Sequence, residues 1–252
     1  MQPLILYQFE LSHFSEKIRF ILDYKGLPWE RRDVLYGPGQ KVLVRLTGQR
    51  QVPVLVNPND GDRAVHDSTA IALYLDERYP DPPLLPSDPD GRAECLMLED
   101  WIDHAIGEVA RKVFIWDKMR SDQVFVRKTM EHNADAMTKR LLPLVGPILM
   151  KQMMKRDAID ERTVAEARVA AHRSLDLLDR RLARAPFLTG AAPTLPDFAA
   201  AGTAMLLQLP PHGYLRFPPD LAHDGIGEMQ EAHTRFFAWK DRMYEKFRKK
   251  TA

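Results

Sequence analysis

The sequence predicts an α/β domain followed by an all-α domain. Three observations carry this. Up to about residue 79, apolar runs of strand length alternate with segments of helical spacing. Five prolines, Pro80, Pro82, Pro83, Pro86 and Pro89, then fall within ten residues and interrupt helix and strand alike. From about Asp90 onward no strand pattern recurs and helical spacing dominates. The expected organisation is a domain at 1–79, a linker at 80–89 and a helical domain at 90–252 that includes an extended region at 110–160.

Leu4-Ile5-Leu6-Tyr7-Gln8-Phe9 has the length and apolar content of a short buried strand. Ser12-His13-Phe14-Ser15 opens a helix whose apolar positions Phe14, Ile18, Ile21 and Leu22 follow the helical spacing. Gly26 closes it as a C′ residue, with Pro28 just beyond. Trp29 to Leu35 is a second strand, although its charges spoil the alternation. Gly37-Pro38-Gly39 is a turn, and Gln40 to Thr47 a short helix. Gln51-Val52-Pro53-Val54-Leu55-Val56 is an apolar run with a proline near its start. Proline removes a ladder donor, so a cis Val52–Pro53 bond is expected. That bond leaves the Val52 backbone free to meet an extended ligand. Asn57-Pro58-Asn59-Asp60-Gly61-Asp62 is dense in turn formers and returns the chain to a strand ending at Asp67-Ser68, where another helix begins. The order β-α-β-α-β-β-α is that of a thioredoxin-like domain.

At the start of a helix, free N–H groups and the positive dipole end attract a carboxylate. The Ser68 hydroxyl adds a hydrogen bond, and Asp67 beside it can hold an ammonium group. Together they suit an amino-acid head group followed by a peptide backbone. Asp67 and Ser68 are also ordinary N-caps.

Three stretches resemble the glutathione S-transferase family. Val52-Pro53-Val54-Leu55 followed by Asp67-Ser68-Thr69-Ala70-Ile71 is similar to the family's glutathione-binding half. Leu6 through Arg19, trailed by Lys25-Gly26-Leu27-Pro28-Trp29-Glu30, is similar to its first strand and helix. Leu188-Thr189-Gly190 and Thr194-Leu195-Pro196-Asp197 resemble a signature of its helical domain, which we expect to be structural. The resemblance implies glutathione as co-substrate, with Gln51, Val52 and Pro53 along its peptide part and Asp67 and Ser68 at its γ-glutamyl end. It maps the residue that acts on the sulfur, seven positions before an arginine, onto Ser12. Ser15 and Tyr7 are the next candidates. It further implies a homodimer and a small apolar electrophile bound by the helical domain. Where cysteine-type members often follow the catalytic position with proline, this chain has His13, expected at the edge of the site or on the surface.

The chemistry expected at Ser12 is thiol activation. A free thiol has a pKa of about 8.5, so little of it is thiolate at neutral pH. A hydroxyl donating to the sulfur at a helix N-terminus lowers that value, and Ser12 can be a plain N-cap as well. With no cysteine at Ser12 or Ser15, mixed-disulfide chemistry lacks its protein thiol. That argues for conjugation, or for reduction of hydroperoxides, with glutathione itself as nucleophile. The rival is a non-catalytic binding or scaffold protein on the same fold, since fold does not imply function.

In the helical half, Leu96, Leu98, Trp101, Ile102, Ala105 and Val109 suggest a long first helix. Pro143 and Pro147 are expected to kink or split a helix around 130–154. Arg162 to Ala185 is another helix, with Val169, Leu175, Leu178 and Leu182 on its apolar side. Met150, Met153 and Met154 are expected to fill irregular space rather than to touch a membrane surface. The basic tail Lys246-Phe247-Arg248-Lys249-Lys250 reads as a solvated helix end.

Composition sets the remaining limits. The chain has 252 residues, 45% hydrophobic and 28% charged, with net charge +1. That is an ordinary globular balance, with no global pull towards nucleic acid. No apolar run approaches the ~20 residues of a membrane span, and no signal peptide is expected at Met1-Gln2-Pro3. The lone Cys95 excludes an internal disulfide and fits a reducing cytoplasm. The eight histidines show no metal-ligand spacing, and no metal is expected.

Overall fold

Along β1 (Leu4–Gln8) side chains alternate between two faces. Leu4 and Leu6 are fully buried in the main core, while Tyr7 packs with Val34, Leu43 and Val54 on the opposite face. This strand organises the first half of the computed structural model, which describes residues 1–34, 38–132, 136–216 and 227–251. β2 (Trp29–Asp33) pairs with β1 in parallel, across the crossover made by α1 (His13–Tyr24). β3 (Val54–Asn57) pairs antiparallel with β1, and β4 (Arg63–His66) antiparallel with β3. The sheet order is β2-β1-β3-β4. The expected continuation of the second strand to Leu35 and the turn at Gly37 lie outside the described residues.

Helix α1 ends where the sequence stops supporting it. Gly26 follows the Lys25 cap with φ +63°, a left-handed conformation that glycine adopts without steric cost. A short 3₁₀ turn leads into α2 (Lys41–Thr47), and α3 (Ser68–Arg78) follows β4 directly.

The second half is helical. α4 (Pro89–Ile102) continues without a break through a π-helical turn at Asp103–Glu108, α5 (Val109–Phe114) and a second π turn at Ile115–Met119. α6 (Gln123–His132) and α7 (Ala136–Arg156) follow, then α8 (Glu161–Leu182), α9 (Leu195–Thr203), α10 (Gly227–Ala232) and α11 (Thr234–Phe247). Among the described residues no helix is long and apolar enough to cross a membrane.

Three expectations are corrected here. Of the kink or split expected at Pro143 and Pro147, the split is overturned: α7 is one helix with both prolines inside it. Spaced four apart, the two rings remove neighbouring hydrogen bonds of one stripe and leave the rest of the ladder in place. Val169 does not belong to the buried side of α8: it is 61% exposed, and the buried stripe is Val164, Ala167, Ala171, Leu175 and Leu178. The basic tail is a solvated helix end only in part: Lys246, Lys249 and Lys250 are exposed, and Arg248 is not. α11 stops at Phe247, and the Arg248 guanidinium is buried against Glu16 and Asp23. The three methionines of α7 pack on Ile115, Ile159 and Val164, as gap-filling side chains do.

α1 lies between the halves. An alanine Cβ at Gly202 of α9 would sit 2.7 Å from the Lys17 backbone nitrogen, so only glycine lets the two helices approach this closely. Phe20 and Tyr24 of α1 meet Tyr244 and Phe198 with ring centroids 4.6 and 4.8 Å apart, pairs worth about 0.5–1.5 kcal/mol each beyond their burial. Thr194 caps α9, with Asp197 Oδ2 accepting the Thr194 N–H at 2.9 Å and Oδ1 accepting from Leu188 at 2.8 Å. Burial outweighs these donors and pushes the Asp197 carboxyl up to about 6.

The centre of this contact is ionic. Lys17, fully buried, directs its ammonium at Glu99 and, at 2.7 Å, at Asp103 Oδ2. Its cluster therefore ties α1 to α4. Removing one partner of such a group strands the others without compensation. Lys17→Met is expected to cost about 3–5 kcal/mol of unfolding free energy by denaturant titration, and a loss under about 1 kcal/mol would show that the cluster does not hold the halves together.

Candidate functional site

The register brings the candidate residues to one end of the sheet. Tyr7 lies opposite Val54, and Val54 opposite His66. The C-terminal ends of β1 and β4 therefore meet the N-terminal start of β3. Ser12 leaves the sheet from the first of these, Asp67 and Ser68 from the second, and Val52-Pro53 leads into the third.

Ser12 is the N-cap of α1. Its Oγ accepts the Ser15 N–H at 3.2 Å, and its side chain is half-buried. Accepting a backbone N–H leaves the hydroxyl proton free to be donated outward, over a helix N-terminus whose dipole favours negative charge. Ser15 is fully buried, and its Oγ has no partner among the described residues. The Tyr7 ring is packed in the small cluster that faces α2. Of the three candidates, Ser12 combines accessibility with the helix terminus.

Val52–Pro53 is cis. Neither the N–H nor the C=O of Val52 has a hydrogen-bond partner among the described residues, and Gln51 is exposed beside it. Pro53 is buried. The edge is thus anchored by the proline and open at the residue before it.

Asp67 caps α3, its carboxylate accepting the Ala70 N–H at 3.0 Å. Its backbone stands at φ +72°, ψ 129°, a conformation an aspartate holds only at a cost of order 1–3 kcal/mol. The first two N–H groups of α3, those of Ser68 and Thr69, lie beyond the strand ladder and, as at any helix start, have no intrahelical partner; both lack partners among the described residues. Asp67 is exposed; Ser68 is buried. A free helix N-terminus with an adjacent hydroxyl and carboxylate is the geometry an α-amino acid needs: N–H groups for its carboxylate, an acid for its ammonium.

Beneath this terminus lies a group that sequence reasoning did not single out. The Lys17 ammonium reaches Ser68 Oγ at 3.5 Å and Thr69 Oγ1 at 3.4 Å, and Thr69 donates to Glu99 at 2.6 Å. Asp103 Oδ1 is buried without a partner. Burial pushes the Asp103 carboxyl up to about 6, against the opposing pull of Lys17. The signal was present in the sequence. Lys17 is a cation on the apolar stripe that holds Phe14, Ile18 and Ile21, and Glu99 and Asp103 are acids one helical turn apart.

His13 is corrected from its expected place at the edge. It is 4% exposed and stacked on Phe14 at 4.2 Å between centroids. Burial first, then the charges of Arg111 and Lys17, lower its pKa to about 3, so it is neutral. Phe14 in turn packs on Gly107 in the first π-helical turn, where a Cβ would lie 3.1 Å from the ring.

Two family models match the chain: the glutathione S-transferase N-terminal domain at residues 6–83 and the glutathione S-transferase C-terminal domain at 161–242. Glutathione S-transferase 1 of Dianthus caryophyllus is 39% identical over 95 residues, covering 36% of this chain and 42% of that protein. The chain thus spans about two fifths of the length of the plant relatives it matches. The stringent starvation protein A homolog of Coxiella burnetii is 31% identical over 144 residues, 52% of this chain and 68% of that one. A glutathione S-transferase of Methylobacterium radiotolerans, crystallised with glutathione sulfonate, superposes with a TM-score of 0.65 at 20% identity, covering 97% of this chain and 92% of the other.

The neutral, buried His13 makes a pH prediction. Its folded-state pKa of about 3 lies below the ~6.5 of an exposed histidine, so the unfolded chain binds the proton first. The resulting stability is present above about pH 6.5 and is lost as pH falls towards 3. The melting temperature of the wild type should therefore drop more between pH 6.5 and 4 than that of His13→Gln, measured side by side. Parallel curves would show that His13 is protonated in the folded state.

Proposed function

The chain belongs to the glutathione S-transferase family, and on that premise we propose that it binds reduced glutathione along the open end of its sheet and activates the thiol for attack. The observation that carries this is the free N-terminus of α3. Two unpartnered N–H groups, the Ser68 hydroxyl and the strained Asp67 converge there, one strand away from the unpaired backbone of Val52. In this reading Ser68 and the helix terminus take the γ-glutamyl carboxylate, and Asp67 its ammonium. Gln51 and Val52 run along the peptide, with Pro53 holding the turn.

The cysteinyl sulfur then lies towards Ser12. The Ser12 hydroxyl donates to it, the thiol proton passes to solvent, and the thiolate attacks a small apolar electrophile bound against the helical half. One S–C bond forms, the leaving group departs with its electron pair, and no covalent enzyme intermediate is required. The same thiolate can attack a hydroperoxide oxygen: the O–O bond breaks to release an alcohol and a glutathione sulfenic acid, and a second glutathione thiol displaces its oxygen as water to give the disulfide. Assembly as a homodimer belongs to the same proposal.

Calorimetric titration with reduced glutathione tests the reading. Binding is expected for the wild type and weakened about tenfold or more by Ser68→Ala, which removes a hydrogen bond to a charged group. Ser12→Ala is expected to keep the affinity and lower turnover of a chloronitroarene or an organic hydroperoxide on the order of 10²-fold. No binding by a folded wild type at millimolar glutathione would overturn the proposal in favour of a non-catalytic scaffold on the same fold. Unchanged turnover in Ser12→Ala would overturn the role of Ser12 alone.

A further inference from the structure

The far edge of the sheet, away from β4, carries a cavity that the thiol chemistry does not use. β2 is an unusual strand, Trp29-Glu30-Arg31-Arg32-Asp33, with no apolar alternation. The C-terminal stretch folds back beside it instead of continuing α11. Lys249 N–H donates to Asp23 Oδ2 at 3.0 Å, and Thr251 N–H donates to the Gly213 carbonyl at 2.6 Å. These bonds pin the stretch over the segment that leads to Arg216. Between β2, the tail and that segment lies a cavity of about 410 Å³, within the range of small-molecule sites.

Its lining is cationic: Arg31, Arg32, Arg216, Arg248, Lys249 and Lys250, against the two carboxylates Asp23 and Glu30. Not all of this charge is available. Arg248 is neutralised by Glu16 and Asp23, Arg31 by Glu10 and Asp33, and Arg32 by Glu30. Three cations remain. Arg216 and Lys249 are exposed and pair with no carboxylate among the described residues, and Lys250 lies over the Tyr214 ring at 5.7 Å. Arg31 adds a donor: its Nε is buried without a partner. Burial lowers the Arg31 pKa, and the like charges of Arg216 and Arg248 lower it further against the pull of Asp33. The cavity thus holds like charges that repel one another and donors that go unused. An anion relieves both, and guanidinium forks favour oxyanions that accept two parallel hydrogen bonds. Three charges that lack a carboxylate partner among the described residues, set around one open cleft, suit a compact ligand with adjacent phosphates better than a single carboxylate.

We propose that this cavity binds a small molecule bearing linked phosphate groups, of the class of pyrophosphate and nucleoside diphosphates, at a site separate from the thiol site. The test is calorimetric titration of the full chain with inorganic pyrophosphate, at ionic strength held constant with sodium chloride. Inorganic phosphate and a nucleoside diphosphate serve as parallel arms. The expected result is one pyrophosphate per chain, bound at least tenfold more tightly than phosphate. The nucleoside diphosphate should bind at least as tightly as pyrophosphate if the nucleotide is the natural ligand, and more weakly if free pyrophosphate is. Arg216→Ala with Lys249→Ala should weaken pyrophosphate binding at least tenfold. Both residues are on the surface, so circular dichroism should be unchanged. Lys249→Glu is a second variant expected to act in the same direction. No saturable heat would overturn the proposal. So would equal affinity for pyrophosphate and phosphate, which marks general ionic attraction, or undiminished binding by the folded double variant, which places the anion elsewhere.

Discussion

A single ammonium, that of Lys17, sits where the two halves of the chain meet, and the geometry of the site depends on how it is satisfied. It has no exposure to water. Its acceptors come from α3 on one side, through Ser68 and Thr69, and from the α4 rod on the other, through Glu99 and Asp103. A buried ion cluster of this kind is a poor source of net stability, because desolvation offsets most of the Coulomb attraction. Its effect is on arrangement. The charge links α1 to α3 and to the α4 rod close to the N-terminus of α3. Gly202 adds a steric condition to the electrostatic one by letting α9 rest on the backbone of the same residue.

Two helix N-termini therefore open at the same end of one sheet, and each suits a distinct part of the proposed chemistry. The α3 terminus keeps two N–H groups unpaired and an exposed carboxylate beside them, which suits recognition. At the α1 terminus the Ser12 oxygen accepts a backbone N–H while its proton remains to be donated, which suits polarisation of a thiol. The groups that could compete with Ser12 are withdrawn. Ser15 and His13 are buried, and Tyr7 belongs to the opposite face of the sheet. The π-helical turn that carries Gly107 lets the ring of Phe14 rest against the helical half. The groups proposed for recognition and activation are fixed by elements of regular structure.

Local chemistry makes much of this legible in the sequence. The cap at Ser12, the stop at Gly26, the cis bond before Pro53, the helix opening at Asp67-Ser68 and the capping box of Thr194 and Asp197 all follow from contacts within a few residues. The illegible parts depend on long-range contact. Lys17 could be seen as a charge on an apolar stripe, but its partners lie 82 and 86 residues away. His13 looked titratable at the surface until the helical half covered it. The basic tail reads as solvent-facing because the acids that hold Arg248, Glu16 and Asp23, are more than 220 residues distant. Pro143 and Pro147 argue locally for a broken helix, and α7 nevertheless continues through both.

If Ser12 acts on a sulfur held by the α3 terminus, an ultraviolet difference titration of the thiolate of protein-bound glutathione shows it most directly. The bound thiol is expected to titrate at least one unit below the ~8.5 of a free thiol. Ser12→Ala is expected to remove most of that difference without changing glutathione affinity. A bound thiol that titrates like the free one, or a depression that survives Ser12→Ala, would contradict a role for Ser12 at the sulfur.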